Sequence, residues 1–180
     1  MNKYQNILFA TNTQKILYFF LDHPGKEFVE REIRKAVGIS KSGANYALRE
    51  LVRGNFIFRY KKGKIHLYSL NYKNSVVKQL KVLKIITYIQ PIIKKLQKLS
   101  SKVILFGSSS RGEDIEDSDI DLFIVSNSKK EEIEAQINKS RLKRKLQIMV
   151  RTELGEIELK DKDPTFYEQI QRGIILWQKE

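Results

Sequence analysis

The spacing of apolar residues changes twice along this chain, and each change marks a different kind of structure. In residues 12–22, Ile16, Leu17, Phe19, Phe20 and Leu21 fall at helical spacing, and His23-Pro24-Gly25 ends the pattern, so a mostly buried helix is expected. Residues 28–37 predict a second helix, with Ile33, Ala36 and Val37 facing inward and Glu30, Arg31 and Arg34 facing out. Gly38 then supplies a helix end and Ser40 a helix start, and a third helix follows over Lys41–Arg53, burying Ala44, Ala47, Leu48 and Leu51. The period shifts towards two in residues 56–60 and Ile65–Leu70, which read as strands. Between them, Lys61-Lys62-Gly63-Lys64 is a hairpin loop.

Residues 71–101 return to helical spacing, with Val76, Val77, Leu80, Leu83, Ile86, Ile89, Ile93 and Leu96 on one broad face and lysines between them. Pro91 predicts a break into two helices, because a helix interior tolerates proline poorly. From Lys102 the pattern becomes mixed. Short apolar runs at 103–106, 122–125, 146–150 and 174–177 predict strands, and 129–138, 153–160 and 164–172 predict helices. The fold class expected is therefore α/β (α+β), in three parts. These are a domain over 1–72, a helical connector over 73–101, and a domain over 102–180 with a small mixed sheet and flanking helices.

Three helices followed by a hairpin is the order of a winged helix-turn-helix. The segment REIRKAVGISKSGANYALRELVRGNFI resembles the helix-turn-helix of archaeal and bacterial winged-helix regulators. Charge points the same way. Residues 1–100 hold 20 Lys+Arg against 5 Asp+Glu, and residues 101–180 hold 14 against 16, so the excess positive charge sits in the first half. A Lys-rich solubilising surface is the plainer alternative; the resemblance favours double-stranded DNA. It makes Lys41–Arg53 the recognition helix, presenting Lys41, Ser42, Asn45, Tyr46 and Arg49 to base edges. Arg59, Lys61, Lys62 and Lys64 on the wing would then meet phosphates.

The second half carries a motif with chemistry. In VILFGSSSRGEDIEDSDIDLFIV, Gly107-Ser108 ends one apolar run, and ten residues later Asp119-Ile120-Asp121 opens the next. Glycine at 107 lets backbone amides approach a triphosphate, and Ser108 adds a hydroxyl donor. Aspartates two apart on a strand share a face, so Asp119 and Asp121 can converge on a hard cation. A solvated acidic loop is the alternative, and the abutting hydrophobic strand argues against it.

This segment resembles the signature of the polymerase-beta-like nucleotidyltransferases, most of all their minimal members. The resemblance implies Gly107, Ser108 and Arg111 as nucleotide-phosphate ligands, Asp119 and Asp121 as catalytic metal ligands, magnesium (or manganese) as cofactor, and an NTP as substrate. Two positions depart from the pattern. Ser109 stands where many minimal members have arginine, and Gln147 falls where active members add a third carboxylate. An amide is no general base. Glu153 shares parity with Gln147 and is the substitute if that strand runs longer.

Three functions stay open at this level: a DNA-tethered nucleotidyltransferase acting on a hydroxyl acceptor, a transcriptional regulator with a weak or inactive nucleotidyltransferase domain, and the antitoxin of a pair with a small helical toxin. A homodimer through the connector's apolar face is a further option, with packing onto its own domains favoured. The chain has no cysteine and only His23 and His66, which excludes thiolate metal sites and argues against histidine zinc sites. No apolar run approaches the roughly 18 residues of a membrane span, and the opening residues lack the order of a signal peptide. A cytoplasmic protein without a membrane partner is expected.

Overall fold

The computed structural model describes residues 3–140, 142 and 144–179. The chain forms two compact units, Met1–Lys84 and Ile85–Glu180.

The first unit runs α1 (Lys3–Leu8), α2 (Asn12–Asp22), β1 (Glu27–Val29), α3 (Glu30–Val37), α4 (Lys41–Arg53), β2 (Ile57–Lys62) and β3 (Ile65–Leu70), then the start of α5 (Ser75–Leu96). Local chemistry fixes the helix starts. The Thr11 hydroxyl accepts from Gln14 N–H at 3.3 Å while Gln14 Oε1 accepts from Thr11 N–H at 3.0 Å, a reciprocal cap on α2. Ser40 accepts from Gly43 N–H at 3.2 Å and starts α4. The three helices bury Ile16, Phe20, Ile33, Ala44, Ala47, Leu48 and Leu51 in one core, closed by Ile57, Tyr68 and Leu70 from the hairpin and Val77 from α5.

Residues 27–29, assigned from the pattern to a loop and the start of α3, form a strand instead. β1 pairs antiparallel with β3, Phe28 opposite Tyr68, giving a three-stranded sheet in the order β1-β3-β2. Val29 offers no capping side chain, so the pattern had no signal for where α3 begins; Glu32 Oε2 caps it by accepting from Val29 N–H at 2.9 Å. Ala36 is exposed rather than inward, since the short α3 buries only Ile33 fully.

Helix α5 is continuous through Pro91, contrary to the predicted break. An interior proline costs about 3 kcal/mol. Against this, Ile85, Ile89, Ile92, Ile93 and Leu96 are buried in the second unit's core, each worth about 1.5–3 kcal/mol. Pro91 itself is exposed. The buried line also differs from the apolar letters: Val76 and Leu83 are exposed, while Lys81 and Lys84 are buried. The Lys84 ammonium pairs with Asp22 and sits 4.8 Å from the Tyr18 ring centroid, which compensates its burial within the first unit.

After α5 the second unit continues β4 (Lys102–Phe106), α6 (Gly107–Arg111), β5 (Ile120–Val125), α7 (Lys130–Asn138), β6 (Leu146–Arg151), α8 (Glu153–Lys162), α9 (Pro164–Gln171) and β7 (Ile174–Gln178). The sheet order is β6-β5-β4-β7, with β5 and β6 parallel and the other pairs antiparallel. Strand alternation gives it two faces. Val103, Leu105, Leu122 and Ile124 pack against α5 and Ile133 of α7, while Ile104, Phe123 and Val125 pack against Ile170 and Phe166 of α9. Among the described residues no helix is long and apolar enough to cross a membrane.

Replacing the exposed proline tests the account of α5. Pro91→Ala restores a backbone donor and removes the ring clash, so the midpoint of thermal unfolding should rise. A fall would mean that Pro91 makes a packing contribution larger than its helix penalty.

Candidate active site

The second unit's chemistry gathers at the end of the sheet where β4 finishes and β5 starts. Phe106 pairs with Asp121, so the residue after Phe106 must turn sharply beside that carboxylate. Gly107 makes the turn with φ +70°, and a Cβ there would stand 2.3 Å from Asp121 Oδ2. The chain then enters the single-turn helix α6, ended by Gly112 at φ +67°. The glycine expected to admit phosphates is thus first the glycine that admits Asp121.

Parity places Asp121 on the face of Phe123 and Val125, towards α9 rather than α5. Burial, and then the neighbouring Asp119 charge, push the Asp121 carboxyl above the usual aspartate range. Two carboxylates crowded in this way create a demand for positive charge. Lys145 already meets part of that demand, its ammonium lying 3.3 Å from Asp119 Oδ2.

The loop between α6 and β5 is held from beneath. Arg144 donates to Asp114 Oδ2 at 2.8 Å and to the Ser118 carbonyl at 2.7 and 3.2 Å. The Ser118 hydroxyl accepts from Ile115 N–H at 2.9 Å, which closes the loop on itself. The buried Ser109 hydroxyl donates to the Asp119 carbonyl at 3.4 Å. Ser109 therefore ties α6 to the aspartate loop.

Register settles where the two candidates for a third donor lie. β5 and β6 are parallel with Asp121 opposite Gln147, and Met149, two residues on, packs on the α9 face. Gln147 therefore shares Asp121's face and end of the sheet. Glu153 begins α8 beyond the far end of β6, where it lines a cleft with Ser126, Trp177 and Lys179. Six residues of extended chain correspond to about 20 Å, which removes Glu153 as a substitute. Among the described residues, no group of three or more His, Cys, Asp or Glu could hold a metal ion.

Of the other expected ligands, Ser108 lies in α6 directly after Gly107. Arg111 turns back, donating to Glu113 Oε2 at 2.9 Å and to the Gly107 carbonyl at 3.0 Å. Lys145 and Arg144 escaped the sequence reading. Parity alone puts Lys145 on the face of Gln147, and the pairing of β6 with β5 is what sets it beside Asp119.

In the first unit, Lys41, Ser42, Tyr46 and Arg49 are exposed on α4, and Arg59, Lys61, Lys62 and Lys64 are exposed on the hairpin. The hairpin closes at the Lys62–Ile65 pair, leaving Gly63-Lys64 as a two-residue turn. A cleft of about 360 Å³ brings Asn45 and Arg59 together with Arg31, Ile65 and His66. Arg31 and His66 were not anticipated. Arg49 Nε donates to the Asn45 carbonyl at 3.3 Å, and the Ser42 and Ser40 hydroxyls lie 3.2 Å apart.

Residues 86–173 match the family model described as a nucleotidyltransferase domain. The match runs from within α5 to just past α9 and includes Gly107, both aspartates and Gln147, which supports a nucleotidyl-transfer function for this unit. No curated protein matches the chain.

The raised Asp121 pKa has a signed consequence. A carboxyl whose folded value lies above its unfolded one loses stability as the pH rises through the folded value, so charged Asp121 is a burden at neutral pH. With divalent ions chelated, Asp121→Asn should therefore unfold at a higher temperature than wild type at pH 7. The gain should disappear below the ordinary aspartate value of 3.8. An equal gain at both pH values would show that the crowding of charge is not its origin.

Proposed function

We propose that the second unit is a nucleotide-binding site of the nucleotidyltransferase kind, and that the first unit is a winged helix that binds duplex DNA. The observation that carries the nucleotide reading is the contact of Asp121 with Gly107 beside Asp119, because it joins the phosphate-turn glycine to a crowded carboxylate pair.

The donor set fits magnesium or manganese. Asp119 and Asp121 are hard anionic oxygens on one strand face, and Gln147 can add an amide oxygen from the adjacent strand. A bound divalent cation would offset phosphate charge there. The remaining work belongs to the chain. Gly107 and Ser108 meet the triphosphate, while Lys145, at Asp119, is placed to exchange its carboxylate partner for a phosphate oxygen. Arg111 does so only after releasing Glu113. In transfer, an acceptor hydroxyl oxygen bonds to the α-phosphorus, the bond to the departing diphosphate breaks, and the hydroxyl proton goes to solvent.

Gln147 decides how fast this runs. It faces Asp121 with an amide, so no base stands where a third carboxylate would, and a missing positioned base typically costs about 10²–10⁴-fold. That observation favours the second reading from the sequence, a DNA-binding regulator whose nucleotidyltransferase unit binds nucleotide and turns over slowly. The toxin partner and the homodimer have no comparable support.

For DNA, Lys61, Lys62 and Lys64 at the hairpin end suit phosphates, while the cleft joining Asn45, Arg59, Arg31 and His66 offers side chains able to read base edges.

Calorimetry with ATP should reveal a binding component that requires magnesium and is lost in the Asp119→Ala, Asp121→Ala double variant. Gln147→Asp should tighten that component and raise nucleotidyl transfer or hydrolysis. A magnesium-dependent component undiminished in the double variant would remove the assignment.

For DNA, full-chain affinity should fall steeply with added salt, and the Lys61→Gln, Lys62→Gln, Lys64→Gln variant should flatten that slope for every sequence. Asn45→Ala or Arg49→Ala should cost about 1–3 kcal/mol, mostly on the preferred sequence. Salt-insensitive or absent binding would exclude the DNA reading.

A further inference from the structure

Away from the carboxylates, the second unit has a cleft of about 550 Å³ lined by Lys94, Lys95, Lys98, Leu99, Gln136 and Lys139. Residues 85–180 hold 17 Lys+Arg and 16 Asp+Glu, so the unit is nearly neutral, yet each charged residue lining this cleft is a lysine. The ordinary explanation is that lysines collect at helix C-termini. Lys94 and Lys95 are in the last turn of α5, and Lys139 caps α7. Each helix end carries about half a negative charge, so two ends offset roughly one of four ammonium groups.

The cleft is also built rather than incidental. Lys95 Nζ donates to Ser140 Oγ at 2.8 Å, which ties the end of α5 to the residue after α7's cap. Lys94, Lys98 and Lys139 are exposed around it. We propose that Lys94, Lys95, Lys98 and Lys139 form a second anion site, which takes a compact polyphosphate such as the phosphate chain of a nucleoside polyphosphate and needs no divalent cation.

Three considerations select that ligand. The volume lies within the range of small-molecule clefts, about 300–1,000 Å³. Lysine binds phosphate as a point charge, and Lys94 and Lys95 in the last turn of α5 lie close in the chain to Lys98 in the turn after it, which suits phosphates clustered in one molecule better than phosphates strung along a strand. No carboxylate lines the cleft among the described residues, so nothing there calls for a bridging cation. Gln136 supplies an amide donor and Leu99 an apolar wall. The site is independent of the carboxylate site and stands or falls without it.

The test is calorimetric titration of the full chain with inorganic tripolyphosphate in the presence of chelator. Saturable binding is expected, retained in the Asp119→Asn, Asp121→Asn variant and in the Lys61→Gln, Lys62→Gln, Lys64→Gln variant. The Lys94→Gln, Lys98→Gln, Lys139→Gln variant should weaken it at least about tenfold, since each lysine removed takes away a charge-assisted bond. Those three side chains are exposed, and an unchanged circular dichroism spectrum would confirm that the fold is kept. Absent binding, binding indifferent to the three cleft lysines, or binding lost with the aspartates would overturn the proposal. So would displacement of tripolyphosphate by a short oligothymidylate at lower phosphate concentration, which would make the cleft a nucleic-acid surface.

Discussion

The tightest constraint in the second unit is the meeting of the Asp121 carboxylate with the bare Cα of Gly107. Antiparallel pairing sets Asp121 opposite Phe106, so the chain leaving β4 turns away across that side chain, and only a residue without a Cβ can do so. The consequences spread outward. The turn opens α6, whose buried Ser109 hydroxyl reaches back to the Asp119 carbonyl. The loop that follows is pinned by Arg144, two residues before β6. Packing the carboxylate so closely also removes water from it, and with Asp119 beside it this raises its pKa. One backbone position thereby sets both the shape of the site and its demand for positive charge.

The parts of this arrangement that were readable in the sequence are those with short-range causes. The cap at Ser40, the apolar runs of β4 and β5, and the Gly-Ser to Asp-x-Asp spacing all act over short stretches of chain, and each matches the structure. The strand β1 was not readable, because three residues carry no period and its partner β3 lies about forty positions further on. Lys145 and Arg144 were missed for a related reason. Their roles depend on which strand pairs with β5 and in which register, and local spacing carries neither fact. Pro91 misled because its penalty is local while the burial that outweighs it is tertiary.

Helix α5 shows how one sequence can serve two cores. Its first turns give Val77 to the core of Met1–Lys84, and its later turns give Ile85 to Leu96 to the core of Ile85–Glu180. An amphipathic stripe would have sufficed for a helix with a single neighbour. Here apolar residues lie nearly all round, and where one core's line crosses Lys84 the ammonium is taken up by Asp22 and the Tyr18 ring. Apolar letters alone favour packing of such a connector onto its own domains and leave a partner surface as an option. Once each turn is assigned to a core, exposed Val76 and Leu83 are what remains of that stripe.

The same logic of register bears on what the carboxylate site can do. Parallel pairing of β5 with β6 makes Gln147 the neighbour of Asp121 on one face, and it sends Glu153 to the opposite end of the sheet. A third carboxylate beside Asp121 would add a charge to a position where two already raise a pKa, tolerable only with cations firmly bound. An amide keeps an oxygen there without the charge, so the apo site is less strained and holds a cation less tightly. Lys145 completes the balance by neutralising Asp119 from the next strand, and it competes with any cation for the same oxygen. Binding of a cation with its phosphates would therefore be an exchange, in which Lys145 gives up Asp119. Lys145 satisfies Asp119 in the ligand-free state and leaves the buried charge of Asp121 as the part of the site that still calls for a positive partner.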